Sequence, residues 1–512
     1  MSAAGEPVQS RFLKLADAVE ERFEVGRWRS GDIDLWPPAK MDLYLDLFRS
    51  NAGETASRPP NPLVRAAAGL ALPLTNLWKS RDDLAHWVGS PCQAGAVLLG
   101  DGVSLDRIEG AWRDRHGEPV IAALERRGEP TFLMQPGNLG RLPWLRPTYP
   151  ANTIAVRAAV AAALAPGEAP QLPDHGAVLR FLHEHGVQGP SVGERRLARR
   201  ARGLAAAAAA FQRVLRRVRP QLAFVVTWYA SLGPAFALAC RREGVLCVDL
   251  QHCPQEGRHR AYRWARMPPE GYSTMPAAFW TWSPAEAAAI SCWHDGPGRR
   301  SLHGGHSQLA PFLDDESPET ARWDAQFAAV GNPGPFDREI LVALQPIGGR
   351  RAVWRALARQ IEVSPASWRW WIRRHPSSSR AQDTEHAALL ALDRPNLMVD
   401  EAEELPLPAL LRHMDAVVSL ASGAAVEAAA FGVPALFLDE EARGAFGRLI
   451  EHGEAEVLGP PDVVARIAAL PAQRRARAES PPPIDESLER LFAMAADYSR
   501  HCAERPLARP LG

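Results

Sequence analysis

The chain has 512 residues, with 59 lysines and arginines balanced by 59 aspartates and glutamates, and 46% of its residues are hydrophobic. That length suffices for two or three domains, and the zero formal charge argues against a dedicated nucleic-acid binder, which needs a basic excess to meet phosphates. Only Lys14, Lys40 and Lys79 are lysines, a ratio that reads as codon bias in a GC-rich genome.

The segment from Met1 to Lys14 is polar and lacks an apolar signal core, and no window nears the roughly 20 apolar residues of a membrane span. A cytoplasmic location is therefore expected. The six cysteines, from Cys92 to Cys502, include no C-x-x-C pair, which fits reduced thiols and speaks against a structural zinc site.

Residues 1–93 read as an N-terminal helical extension, in which Asp32-Ile33-Asp34-Leu35-Trp36-Pro37 precedes an amphipathic stretch Met41–Phe48 and a turn-rich segment Ser50–Pro62. From Ala94 the pattern changes to short apolar runs, each followed by a turn and a helical stretch. Ala96–Leu99, Thr131–Met134, Leu222–Thr227 and Leu246–Leu250 are predicted strands; Pro119–Arg127, Ala201–Val218 and Ala235–Glu243 are predicted helices, the last capped by Gly244. Such alternation predicts a parallel sheet covered by helices on both faces. A second series follows: strands at Ile340–Leu344, Trp368–Ile372, Ala416–Leu420 and Ala435–Leu438, with helices at Arg351–Glu362, Leu407–Met414 and Ala424–Phe431. The aromatic run Trp368, Trp370, Trp371 belongs to the core in this reading. After the proline run Pro481–Pro483, Asp485–Ser499 reads as a last amphipathic helix. The fold class is thus α/β: two Rossmann-like domains, 94–330 and 331–470, facing a cleft, with the extension 1–93 in front and a linker and helix, 471–512, behind.

Open α/β sheets bind ligands beyond the carboxyl ends of their strands, so four strand-end junctions are the candidate sites. Gln345-Pro346-Ile347-Gly348-Gly349-Arg350 offers backbone approach and a helix start suited to an anion. Arg373-Arg374-His375-Pro376-Ser377-Ser378-Ser379 brings two guanidinium groups, an imidazole and three hydroxyls to one turn, chemistry suited to a phosphate or diphosphate. Ser419-Leu420-Ala421-Ser422-Gly423 starts a helix whose Glu427 either receives ribose hydroxyls or complements the helix dipole. In the first series, Gln251-His252-Cys253 supplies a strand-end histidine as candidate general base, with Asp101 of Gly100-Asp101-Gly102 as the rival carboxylate.

The run Ile340–Gln345, Arg374-His375-Pro376 and Asp415–Leu438 resembles the donor-binding half of GT-B glycosyltransferases. Its nearest likeness is to bacterial capsule and surface-polysaccharide enzymes: Kdo transferases, sialyltransferases and teichoic-acid glycerophosphotransferases. The resemblance covers Ala94 to Leu470. It makes 94–330 the acceptor side and 331–470 the donor side, and carries cytidine-nucleotide contacts over to His375, Pro376, Ser419 and Ser422. Ser422-Gly423 departs from the family's Ser-Ser pair, so a UDP- or GDP-sugar stays open, with Glu427 as ribose partner. Gln251-His252 resembles the family's Q-H-G loop with Cys253 in place of glycine. Gly304-Gly305-His306 and Gly331-Asn332-Pro333 look like the region joining the halves.

The implied reaction is metal-independent glycosyl transfer, with no cofactor beyond the nucleotide-sugar substrate, to a saccharide or lipid-linked acceptor. Arg373, Arg374 and the amides near Ser422 would stabilise the leaving nucleotide. His252 or Asp101 would deprotonate the acceptor if configuration inverts, and neither would act as base if it is retained. A lipid-linked acceptor would bring peripheral contact with the inner face of the membrane. A non-catalytic GT-B-like binding protein and a UDP-sugar epimerase are the alternatives.

Overall fold

The computed structural model describes residues 8–51, 93–108, 110–136, 143–164, 168–187, 190–230, 232–255, 259–330, 336–345, 348–375, 383–471 and 481–504. Two compact units emerge, one formed by Met1–Gly305 together with Pro482–Gly512 and the other by His306–Pro481.

Unit 1 is built on seven parallel strands: β1 (Ala96–Leu99), β2 (Thr131–Gln135), β3 (Thr148–Pro150), β4 (Leu222–Val226), β5 (Leu246–Leu250), β6 (Ala278–Thr281) and β7 (Arg300–His303). Their spatial order is β7-β6-β5-β4-β1-β2-β3, the doubly wound arrangement in which the winding reverses between the first and fourth strands. Every residue of β1, β4 and β5 is buried, as expected of central strands covered on both faces. β1 and β5 coincide with the predicted runs. Strands β3, β6 and β7 escape the sequence reading; β7, at the sheet edge, has one buried residue in four and so lacks an apolar run. The predicted helices are found as Glu118–Arg126, Glu194–Val218 and Gly233–Glu243, and Gly244 caps the last at φ 68°.

The N-terminal helices Val8–Arg22 and Trp36–Asn51 belong to this unit: Phe12, Trp28 and Trp36 join the same buried cluster as Val97 of β1 and Val225 of β4. Lys40, fully buried, donates to Glu20 at 2.6 Å and to the Arg263 carbonyl at 2.6 Å. The D-x-D pair is tied into the packing as well, Asp32 by Arg242 at 2.6 Å and Asp34 by the Ser273 N–H at 2.6 Å. The final helix, Ile484–Glu504, returns to unit 1 and packs Leu488, Leu491 and Tyr498 against Phe224 and Trp280.

Unit 2 repeats the winding with six parallel strands: β8 (Arg338–Ala343), β9 (Trp368–Arg373), β10 (Leu397–Met398), β11 (Ala416–Ser419), β12 (Ala435–Phe437) and β13 (Ala455–Val457), in the order β10-β9-β8-β11-β12-β13. Trp368, Trp370 and Trp371 are buried in it. The unit begins at His306, whereas the sequence reading placed the change at 330/331. Helix Pro318–Ala329 explains the difference: Phe327 stacks on His413 with centroids 3.9 Å apart, and Asp324 pairs with Arg412 at 3.0 Å. Among the described residues no helix is long and apolar enough to cross a membrane.

Candidate functional site

Each sheet reverses its winding once, between β1 and β4 in unit 1 and between β8 and β11 in unit 2, and the loops beyond those strand ends hold most of the predicted residues.

In unit 1, β1 ends at Gly100-Asp101-Gly102. A Cβ on Gly100 would overlap the side chains of Gln135 and Asp114, so only glycine fits. Gln135 donates to Asp114 at 2.7 Å and accepts the Gly102 N–H at 3.1 Å. Burial, with the Asp101 charge nearby, pushes Asp114 up to about 7. Asp101 itself is held by four donors: the N–H groups of Val103 and Ser104 at 2.8 and 2.7 Å, and the hydroxyls of Ser104 and Thr227 at 2.7 and 3.0 Å. These four contacts tie Asp101 to its own turn and to the turn after β4. Thr227, directly after β4, has φ 57°. A β-branched residue held there stores about 1–3 kcal/mol of strain, a signature of a functional turn.

His252, beyond β5, is placed by its neighbours. The Gln251 side chain donates to Glu286 at 2.5 Å and to the Cys253 carbonyl at 2.9 Å, and accepts the Trp282 N–H at 2.7 Å, which fixes the loop. His252 Nε2 lies 3.1 Å from the Tyr229 hydroxyl, which also lies 3.3 Å from His259 Nε2. His259 Nδ1 accepts the Ala261 N–H at 3.2 Å, so its Nε2 carries the hydrogen and gives it to Tyr229. Tyr229 in turn donates to His252 Nε2, an assignment that follows from the network. Nδ1 of His252 is left with no partner. Burial lowers His252 to about 4, despite the opposing Asp101 charge, so it is neutral at pH 7. Beneath the cluster, Asp249 accepts the Tyr262 hydroxyl at 2.8 Å and the Trp228 N–H at 3.2 Å, and burial raises it to about 8.

In unit 2, Ala343 of β8 stands beside Ser419 of β11 in the ladder. The Gln345 amide crosses the reversal to the backbone of Ala421, donating at 2.7 Å and accepting at 2.8 Å. Gln345, predicted as a ligand contact, is thus a clamp between the two loops. Ser419 Oγ accepts the Ser422 N–H and Ser422 Oγ accepts the Ala424 N–H, both at 3.3 Å. Gly348, Gly349 and Gly423 have no atom of a described residue within 4 Å of where a Cβ would stand, so among the described residues the backbone there is open to a ligand; Gly349 also needs its φ of 81°. Glu427, on helix Ala424–Ala430, is buried.

At the β9 end, Arg373 donates to the carbonyls of Ala402 and Leu405, the latter at 2.6 Å, and Arg374 pairs with Glu403 at 2.9 Å. Both guanidinium groups thereby fasten helix Glu401–Glu404 to the sheet. The two carbonyls are served by one of the Arg373 nitrogens, Nη1. His375 closes that described stretch, and the predicted Pro376, Ser377, Ser378 and Ser379 lie outside the described residues.

Tyr229, Thr227, Asp114 and Gln135 complete the unit 1 cluster and were not singled out from the sequence. The signal available was positional: Thr227 closes the predicted strand Leu222–Thr227 and Tyr229 stands two residues beyond it, as His252 stands two residues beyond Leu250.

The chain matches no protein-family model and no curated protein. Among solved structures it is similar to the UDP-GlcNAc 2-epimerase of Neisseria meningitidis, at 11% identity and TM-score 0.46, covering 80% of this chain and 98% of that one. It is similar also to the UDP-GlcNAc 2-epimerase of Methanocaldococcus jannaschii, at 12% identity and TM-score 0.45, covering 78% and 99%. The glycosyltransferase SnogD of Streptomyces nogalater gives 15% identity and TM-score 0.38, covering 80% and 98%. At this level of likeness the fold rests on the chain's own two sheets, each wound in Rossmann order.

Proposed function

We propose that this chain is a glycosyltransferase of GT-B type, binding a nucleotide sugar at the β8–β11 reversal of unit 2 and transferring the sugar to a saccharide or lipid-linked acceptor. The observation that carries the reading is the Gln345–Ala421 clamp beside the open backbone at Gly348, Gly349 and Gly423. A clamped loop with room above its glycines suits a phosphate held by N–H groups. Ser422 and Gly423 would face the phosphates, and Glu427 the ribose.

His252 in unit 1 is the proposed base for the acceptor. The bond between the anomeric carbon and the donor phosphate breaks, the acceptor oxygen takes its place, and the acceptor proton passes to His252. That step asks for the tautomer in which Nδ1 offers its lone pair and Nε2–H is given to Tyr229. Because His252 is neutral, the exchange of tautomers moves no net charge.

Thermal stabilisation by CMP, CDP, UDP and GDP, compared side by side, tests the nucleotide site, since a ligand that binds only the native state raises Tm. The likeness at His375, Ser419 and Ser422 puts cytidine nucleotides first. Turnover of the matching sugar donors is then followed with and without acceptor. Conversion without acceptor would establish an epimerase instead, and stabilisation without any turnover a binding protein.

A further inference from the structure

We infer that unit 1 carries a second ligand site, a cavity of about 600 Å³ that takes a phosphate ester bearing a hydrocarbon chain. On the proposed transferase reading it would hold the lipid end of the acceptor.

Helix Glu194–Val218 places Arg195, Arg196, Arg199 and Arg200 in its first two turns, and all four line the cavity. Electrostatics within the helix opposes this placement twice. Cations at a helix N-terminus face the positive end of the dipole, and the pairs 195/199 and 196/200 set like charges four residues apart, where they repel. No described residue pairs with any of the four; the buried Nε of Arg200 has no acceptor. Asp42 is the single carboxylate among the described lining residues. Arg195, Arg196 and Arg199 are exposed and Arg200 is half-buried, so the group presents its charge at the cavity mouth, where an anionic ligand can meet it.

The remaining walls are apolar. Ala158 and Ala162 come from helix Asn152–Leu164, Leu204 from the arginine helix, and Leu232 and Ala235 from the start of helix Gly233–Glu243. Gly203 faces helix Asn152–Leu164, its Cβ position lying at van der Waals distance, 3.5 Å, from the Ala162 Cβ. Eight large apolar side chains are exposed among the described residues, and four of them, Leu45, Phe48, Val160 and Leu164, lie on the two helices that contribute Asp42 and Ala158. A cationic mouth on an apolar slot of this size, within the usual range of about 300–1,000 Å³ for ligand pockets, is complementary to one kind of molecule: a single phosphate or diphosphate with an alkyl or prenyl tail.

The cavity also lies at the working end of the sheet. Helix Gly233–Glu243 follows the turn that carries Thr227 and Tyr229, and the arginine helix starts at the same end because it runs back along the sheet to feed β4. Arg260 joins the helix that contributes Asp42 to this turn, its guanidinium 4.2 Å from the Tyr44 ring centroid and 5.4 Å from that of Tyr229.

Calorimetric titration of the full chain with decyl phosphate, below its micelle-forming concentration, tests the site. Decyl phosphate is expected to bind at least about tenfold more tightly than decanol, which lacks the charge-assisted bond, and than inorganic phosphate, which lacks the buried chain. It should also bind several-fold more tightly than octyl phosphate, because each added methylene is buried. Arg196→Gln combined with Arg199→Gln, and separately Ala159→Phe, which fills the slot without touching a charge, should each weaken decyl phosphate about tenfold or more while nucleotide stabilisation persists. Equal affinity for inorganic phosphate and decyl phosphate, or for octyl and decyl phosphate, would overturn the site, and so would binding that ignores both variants. If a variant does not fold, the chain-length comparison on the native protein still decides. Loss of nucleotide stabilisation in the native protein would count against the transferase reading alone.

Discussion

Gln345 and Ala421 are joined through both ends of one amide, 2.7 Å from side-chain nitrogen to carbonyl and 2.8 Å from backbone nitrogen back to side-chain oxygen. The pair acts as one extra rung of the β8–β11 ladder, made by a side chain just where the strands diverge. Gln345→Ala removes both bonds and leaves the Ala421 amide without its partner, at a cost of about 1–3 kcal/mol. We expect nucleotide affinity to fall by about tenfold or more with the overall fold kept. Calorimetry checks this, and unchanged affinity in Gln345→Ala would detach the clamp from the site.

His252→Ala should lower kcat by about 10²–10⁴, the usual worth of a general base, with donor affinity little changed. Tyr229→Phe keeps the ring and removes the hydroxyl that orients His252, so a smaller loss in kcat is expected, again without a change in donor affinity. A loss confined to KM in either variant would contradict these roles.

Asp249 and Asp114 should make stability fall with rising pH near neutrality. Both are raised by burial, to about 8 and about 7. The folded state therefore holds protons that the unfolded chain has already released, and their stabilising effect is lost as pH climbs toward the folded values. His252 and His294, lowered to about 4 and about 3, act in the opposite sense, but their contribution is complete once pH exceeds the ordinary histidine value of 6.5. Between pH 6.5 and 8 the acids set the slope, up to about 1.4 kcal/mol per pH unit for one proton. Denaturant melts across that window should show the fall in the native protein and a shallower one in Asp249→Asn. An unchanged slope in the variant would remove Asp249 as the cause.

Lys40→Ala leaves the Glu20 carboxylate buried without its cation, so a loss of about 3–5 kcal/mol is expected. Trp36 Nε1 and the Ala265 N–H would still bond Glu20, at 3.0 and 2.7 Å. The double variant Glu20→Gln, Lys40→Met should recover much of the loss, since it removes both charges together. Tm values of the three proteins check this.

The sheets were legible where a central strand is an apolar run closed by turn residues, whereas Thr148–Pro150 and Ala278–Thr281 escaped although both are buried along their whole length. Ala96–Leu99 and Leu246–Leu250 announce themselves as apolar runs closed by turn residues. Arg300–His303 does not, because an edge strand with one side open to solvent carries polar residues. The site divides in the same way. His252 could be found because it stands two residues beyond such a run, whereas the tie between Asp101 and Thr227 joins residues 126 positions apart, and the positive φ of Thr227 leaves no mark on composition. Arg373 and Arg374 show the same limit: their bonds to the Ala402 and Leu405 carbonyls and to Glu403 join residues about thirty positions apart and leave no mark on the local sequence.

The last helix sets the order in which the chain can be finished. Leu488, Leu491 and Tyr498 seal a face of the unit 1 sheet that contains Phe224 and Trp280, yet all of unit 2 is encoded before them. During synthesis the unit that starts first therefore closes last. On that face the earlier helix Glu118–Arg126 covers only part of the apolar surface, and unit 2 is complete in sequence before the helix that covers the rest leaves the ribosome.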